Sequence, residues 1–108
     1  RCALPIHLET SGVDPLTGRF GWITLSPKRH RPPLPQLLRS CHELKVVVHT
    51  SDDIAFALLM EAQCPASTER LLQPGWNCPE GEKLALEHVQ THPQWRLSLQ
   101  THKWLAIR

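Results

Sequence analysis

Glu43–Cys64 reads ELKVVVHTSDDIAFALLMEAQC, and this stretch decides the fold. Leu44 to Val48 is a short apolar run rich in β-branched residues, which predicts a strand. Ser51-Asp52-Asp53 follows at once. It predicts a helix N-cap with an acidic first turn, where carboxylates face the positive end of the helix dipole. Ile54, Ala57, Leu58 and Glu61 or Ala62 then recur at helical spacing, which predicts a helix over 54–63 that Cys64-Pro65 ends. A strand running into a capped helix of about three turns is one half of a β-α-β unit.

The same alternation extends in both directions. Strands are predicted over 6–9 and 22–25, separated by a turn-rich connection that contains Asp14-Pro15 and Thr17-Gly18. A basic, proline-rich loop over 29–35 leads to a short helix near 36–41. Downstream lie a strand over 70–73, a helix that Pro79 opens and His92-Pro93 closes, and a strand over 96–100. The tail is 101–108. Strands alternating with helices predict an α/β fold with a mainly parallel sheet, here the later portion of an incomplete (β/α) barrel over 1–108.

Composition bounds the chain. It has 108 residues, 41% hydrophobic and 20% charged, which suits one small globular domain and excludes a disordered one. No apolar stretch approaches the roughly 20 residues that cross a bilayer. A net charge of +2 is too small to argue for nucleic-acid binding. Basic residues are nonetheless uneven. Arg19, Lys28, Arg29, Arg31 and Arg39 fall in 15–42 with no Asp or Glu, which makes either an anion-binding stretch or a solvated loop. Cys2, Cys41, Cys64 and Cys78 form no CxxC or CxxxCxxC set and read as reduced, mostly buried thiols. His7, His30, His42, His49, His88 and His92 show no metal-ligand spacing, and the i,i+4 pair His88/His92 reads as part of a surface helix. There is no initiator Met and no signal-peptide pattern, so the chain is expected to start inside a larger cytoplasmic protein.

Four apolar runs end in polar residues: those leading into Glu9-Thr10-Ser11-Gly12, Ser26-Pro27-Lys28, Gln73-Pro74-Gly75-Trp76 and Gln100-Thr101-His102. At the C-terminal ends of barrel strands such residues project into the mouth where substrates bind. Side chains alternate along a strand. Leu44, Val46 and Val48 are therefore expected against the outer helices, and Glu9, Ser26, Lys45, Gln73, Gln100 and His102 in the interior. Glu9 with Lys45 makes either a structural ion pair or part of a polar site. Trp76 and Trp104 offer flat apolar surface for a heterocycle, or core and interface packing. On the outer helices Leu86, Val89 and Leu84 are expected to face the core.

The blocks His7 to Gly12, Leu25 to Lys28, Glu43 to Val48, Leu72 to Trp76 and Arg96 to Lys103 occur in an order that resembles the later part of 7-carboxy-7-deazaguanine synthase. That family comprises radical S-adenosylmethionine enzymes of queuosine precursor biosynthesis. The resemblance covers essentially the whole chain, and the LSLQTHK tail with SPK and QPGW is its most specific part. It implies a carbon–nitrogen lyase that turns 6-carboxy-5,6,7,8-tetrahydropterin into 7-carboxy-7-deazaguanine and ammonia. It also implies S-adenosylmethionine, a [4Fe-4S] cluster, Mg²⁺ and a homodimeric parent. By resemblance, Thr10, Ser11, Ser26, Pro27, Lys28, Gln73, Pro74, Gly75 and Trp76 contact S-adenosylmethionine. Glu9, Gln100, His102 and the terminal carboxylate of Arg108 approach the pterin, and Glu9 and His102 take the catalytic roles. The family's cluster-binding cysteines and its Gly-Gly-Glu-Pro segment lie upstream of Arg1, so this chain alone is expected to be inactive and to expose an open sheet edge. The alternatives are another radical S-adenosylmethionine activating enzyme, or a non-catalytic relative that binds a pterin or nucleoside.

Overall fold

A computed structural model describes residues 7–13 and 21–98. Its strands are β1 (His7–Thr10), β2 (Trp22–Leu25), β3 (Glu43–Val48), β4 (Glu69–Pro74) and β5 (Trp95–Leu97). The helices are α1 (Pro35–Ser40), α2 (Ser51–Glu61) and α3 (Pro79–Thr91). The five strands form one sheet in chain order, and every neighbouring pair is parallel. Sequential order means that each crossover advances in the same direction. With right-handed crossovers, all connecting helices then fall on one side of the sheet, as in a barrel wall.

The burial of β3 records this. Its residues alternate between half-buried and buried, with Leu44, Val46 and Val48 on the covered face and Lys45 and Val47 on the other. Leu25 and Leu72 join the covered face, with Leu37 and Leu38 from α1, Phe56, Ala57 and Met60 from α2, and Ala85 from α3. Each fully buried aliphatic side chain contributes about 1.5–3 kcal/mol by leaving water. The opposite face carries Glu9, Lys45, Val47, Leu71 and Gln73, none of them fully buried.

Several expectations shift by a residue or two. α1 starts at Pro35, whose lost N–H is harmless at a helix start, and ends at Ser40. β4 takes in Pro74, because its ring packs beneath the covered face in register with Val48. α2 begins at Ser51 with Thr50 as N-cap, one residue before the expected cap.

Three expectations about side chains fail. Of the α3 residues expected toward the core, Leu84 and Val89 do pack against it, but Leu86 is half exposed, and the residues the helix buries fully are Gly81, Ala85 and His88. Leu58 is exposed in the same way, while α2 buries Asp53, Phe56, Ala57 and Met60. His88 is not on a surface helix: it is buried, its ring stacked 3.9 Å from His92 and edge-on to Trp95 at 5.9 Å. Burial, with the neighbouring His92, holds the His88 imidazole below its ordinary pKa. Among the described residues no helix is long and apolar enough to cross a membrane.

Candidate functional site

The C-terminal end of β1, the residue after β2 and the middle of β3 bring three polar side chains to one point. Lys45 Nζ lies 2.9 Å from Glu9 Oε2, and Ser26 Oγ donates to the same oxygen at 3.1 Å. Register explains the meeting. Glu9 pairs with Thr24 and Leu25 with Leu44, so Ser26 and Lys45, one residue further on, fall on the face that Glu9 occupies. Gln73 lies on the same face of β4, in register with Val47, two residues beyond the Leu71 that pairs with Lys45. The Glu9–Lys45 alternative left open by the sequence is thereby resolved in part: the two do pair, Glu9 near the end of β1 and Lys45 in mid-β3. Glu9 is about half exposed and Lys45 mostly covered. Water screens such a pair, so its stabilisation is about 1 kcal/mol or less. Its larger effect is to hold a cation and a carboxylate at the rim.

The main chain around these tips is tightly built. Ser26 N donates to Thr10 O at 2.8 Å, and Leu34 N donates to Gly12 O at 2.7 Å. Gly12 has φ +80, and a Cβ there would come within 2.6 Å of Leu25 and 2.7 Å of Pro33. A left-handed turn with no room for a side chain explains why glycine ends the ETSG run. Thr10 does not face the rim. Paired with Leu25, it lies on the helix side, and its Oγ1 accepts from Gly12 N at 3.1 Å. It contributes its carbonyl to the rim. Ser11 is half-buried in the same turn.

Pro27 is buried beneath the rim and Lys28 is exposed at the start of a turn closed by Arg31 N on Lys28 O, 3.0 Å. Pro74 also lies on the helix side, so Gln73, not Pro74, falls on the face that Glu9 and Lys45 occupy. Gly75 donates to Val48 O at 2.9 Å and packs on the His49 ring, where a side chain would collide. Trp76 is half exposed at the edge. Gln100, His102, Trp104 and Arg108 lie outside the described residues.

Beside the rim is a cavity of about 340 Å³, between the loop after β2 and the start of α2. Lys28, Arg29, His30, Val47, His49 and Asp53 contribute to its walls. Asp53 organises it. Its carboxylate accepts from His49 N at 2.8 Å and Thr50 N at 3.1 Å, and pairs with Arg29 Nε at 3.1 Å. The basic loop expected over 29–35 is therefore fastened to the first turn of α2. Asp53 was legible as a first-turn carboxylate, three residues after Thr50 in a capping-box position. Its partner Arg29, 24 residues away, had no local signal.

Burial pushes the Asp53 carboxyl up, but the two backbone N–H groups and the Arg29 guanidinium outweigh it and hold the carboxyl below the usual range. A depressed folded value means that the stabilisation is complete above the unfolded carboxylate pKa and is lost as pH falls through the folded value. Asp53→Asn is expected to cost about 1–2 kcal/mol at neutral pH and to flatten the acid limb of the stability curve. Urea unfolding at pH 7 and below pH 4 would show it, and an unchanged acid limb would count against the assignment.

No protein-family profile matches the chain. Among named proteins it is 51% identical to the 7-carboxy-7-deazaguanine synthase of Prochlorococcus marinus, over 99% of this chain and 55% of that protein. It is 42% identical to the enzyme of that name from Synechocystis, over 97% and 50%. Among solved structures it resembles QueE from Escherichia coli, with TM-score 0.76 and 30% identity over 89% of this chain and 45% of that one. The chain thus spans about half the length of the relatives it matches.

Proposed function

Because the chain is homologous along nearly its whole length to the C-terminal part of the 7-carboxy-7-deazaguanine synthases, we propose that it forms the S-adenosylmethionine- and substrate-contacting part of such an enzyme. The reaction is the conversion of 6-carboxy-5,6,7,8-tetrahydropterin to 7-carboxy-7-deazaguanine with loss of ammonia. The observation that carries this reading is the meeting of Ser26 and Lys45 on the Glu9 carboxylate within 3.1 Å, on the sheet face away from the helices. A pterin presents amide, amine and carboxylate edges. The Glu9 carboxylate and the Lys45 ammonium match such edges as acceptor and donor.

The residues here fit S-adenosylmethionine and do not fit an iron–sulfur cluster. Among the described residues no group of three or more His, Cys, Asp or Glu is placed to hold a metal. Cys41 and Cys64 lie where β3 starts and α2 ends, paired with each other rather than with a third ligand. In this reading the cluster and Mg²⁺ ligands come from the part of the relatives that this chain does not span. S-adenosylmethionine and the cluster, once bound, supply a hydrogen-abstracting radical. This chain's share is to bind and orient: Lys28 and Ser26 toward the cofactor, Trp76 as an apolar wall, Glu9 toward the substrate amine and His102 and Gln100 beside the pterin. Fixing the reacting atoms and excluding water is the protein's contribution to chemistry of this kind. The working enzyme is a cytoplasmic homodimer in this reading.

A chimera tests it. This chain replaces the matching half of the Prochlorococcus enzyme, which supplies the remainder. The chimera is expected to load its cluster and convert the pterin, while the 108 residues alone give no product. Within it, Lys28→Ala is expected to raise the KM for S-adenosylmethionine roughly tenfold, the cost of one exposed charge-assisted contact. His102→Ala is expected to lower kcat for the pterin while iron content holds. A cluster-loaded chimera with no turnover, or equal loss of iron in both variants, would sink the assignment.

A further inference from the structure

Cys41 and Cys64 face each other at the end of the sheet opposite the candidate site. Their Sγ atoms are 3.9 Å apart. Cys41 precedes β3 and Cys64 follows α2, which runs back along β3 to the same end. The loops that carry them are held. Thr68 Oγ1 donates to Cys41 O at 3.0 Å, and Glu69 N donates to His42 O at 2.9 Å. Cys41 is buried with its Sγ 3.6 Å from Leu38 O, while Cys64 is half-buried and within reach of solvent.

We propose that this pair is a thiol–disulfide exchange site whose co-substrate is a small-molecule or protein disulfide. A disulfide needs the sulfurs at about 2.05 Å, so closure requires an approach of about 2 Å, which side-chain rotation with a small loop shift supplies. The exchange proceeds in two steps. Cys64, the reachable sulfur, loses its proton to solvent and attacks one sulfur of the disulfide RSSR. This forms Cys64–S–S–R and expels RS⁻. Cys41 then loses its proton and attacks Cys64 Sγ, expelling the second RS⁻. The protein's two thiols are oxidised to one disulfide, and RSSR is reduced to two RSH, which take up the two protons. The mutual hydrogen bond lowers the Cys41 thiol and raises Cys64, so Cys64 ionises for the first step once its sulfur turns away from Cys41 toward solvent.

The competing thiol Cys78 caps α3 at the other end of the sheet, 3.6 Å from His49 O. The length of β3 separates it from Cys41, about 20 Å at roughly 3.3 Å per residue.

The test uses the full chain, reduced and then treated with glutathione disulfide, with intact mass and peptide mapping as readouts. The expected product has lost two hydrogens and carries a Cys41–Cys64 link in roughly tenfold excess over any link to Cys2 or Cys78. Its Tm is expected to rise on the order of 10 °C, because the bridge closes a loop through β3 and α2, and dithiothreitol reverses the rise. Cys64→Ser, which keeps Cys41 on its Leu38 bond, is expected to show neither link nor Tm shift. A glutathione adduct persisting on Cys64, a failure to react, a predominant link to another cysteine, or equal selectivity in urea would each overturn the proposal.

Discussion

Trp95→Ala is expected to cost about 3–5 kcal/mol, as much of the stability of a small domain as any one substitution removes. Trp95 opens β5 in register with Arg70 and is almost fully buried. It packs under α3, edge-on to the His88 ring. Removing the indole leaves a cavity that β5, an edge strand of three residues, is too short to close. It also takes away the aromatic wall against which His88 is held. For a domain of this size such a loss lowers Tm by roughly 15 °C or more. Thermal unfolding followed by circular dichroism measures it. Trp95→Phe keeps most of the buried area and is expected to recover over half of the stability. A loss under about 1 kcal/mol in the alanine variant would show that the β5–α3 packing is wrong.

Lys45→Met in the chimera is expected to lower kcat/KM for the pterin about a hundredfold while changing stability by less than about 1 kcal/mol. The two magnitudes separate because the ion pair is partly solvated. Its electrostatic contribution to folding is small, whereas an ammonium fixed against Glu9 and Ser26 acts on any carboxylate or amide placed there. Met keeps the stem length and removes the charge. The matching Glu9→Gln variant keeps the Ser26 contact and is expected to affect turnover comparably. The double variant should fall well short of the product of the two losses, because the residues act as one unit. A pair whose removal shifts the unfolding midpoint but leaves kcat/KM intact would be purely structural.

The core-facing row of β3 was legible because alternation along a strand is a local rule: Leu44, Val46 and Val48 had to share a face. The same rule placed Glu9, Ser26 and Lys45 together on the other face. The helix readings were weaker. α2 and α3 carry apolar residues around much of their circumference, so spacing alone did not say that Leu58 and Leu86 would face out while Phe56, Ala85 and His88 faced in. Trp95 lay just before the expected strand, and nothing in its immediate neighbours marks it as core. Asp53 was visible as a helix-start carboxylate, but its hold on Arg29 was not.

By itself the sequence determined the order of the elements, their alternation, the strand-end polar motifs and the kinship those motifs carry, because each depends on residues adjacent in the chain. Only the tertiary structure decided that the sheet is wound in one direction, that Glu9, Ser26 and Lys45 share one oxygen, and that Cys41 and Cys64 meet at the far end. These are relations between residues 17 to 36 positions apart in sequence. They arise from register and crossover direction, which balance the whole hydrophobic face at once and leave no trace in any short window.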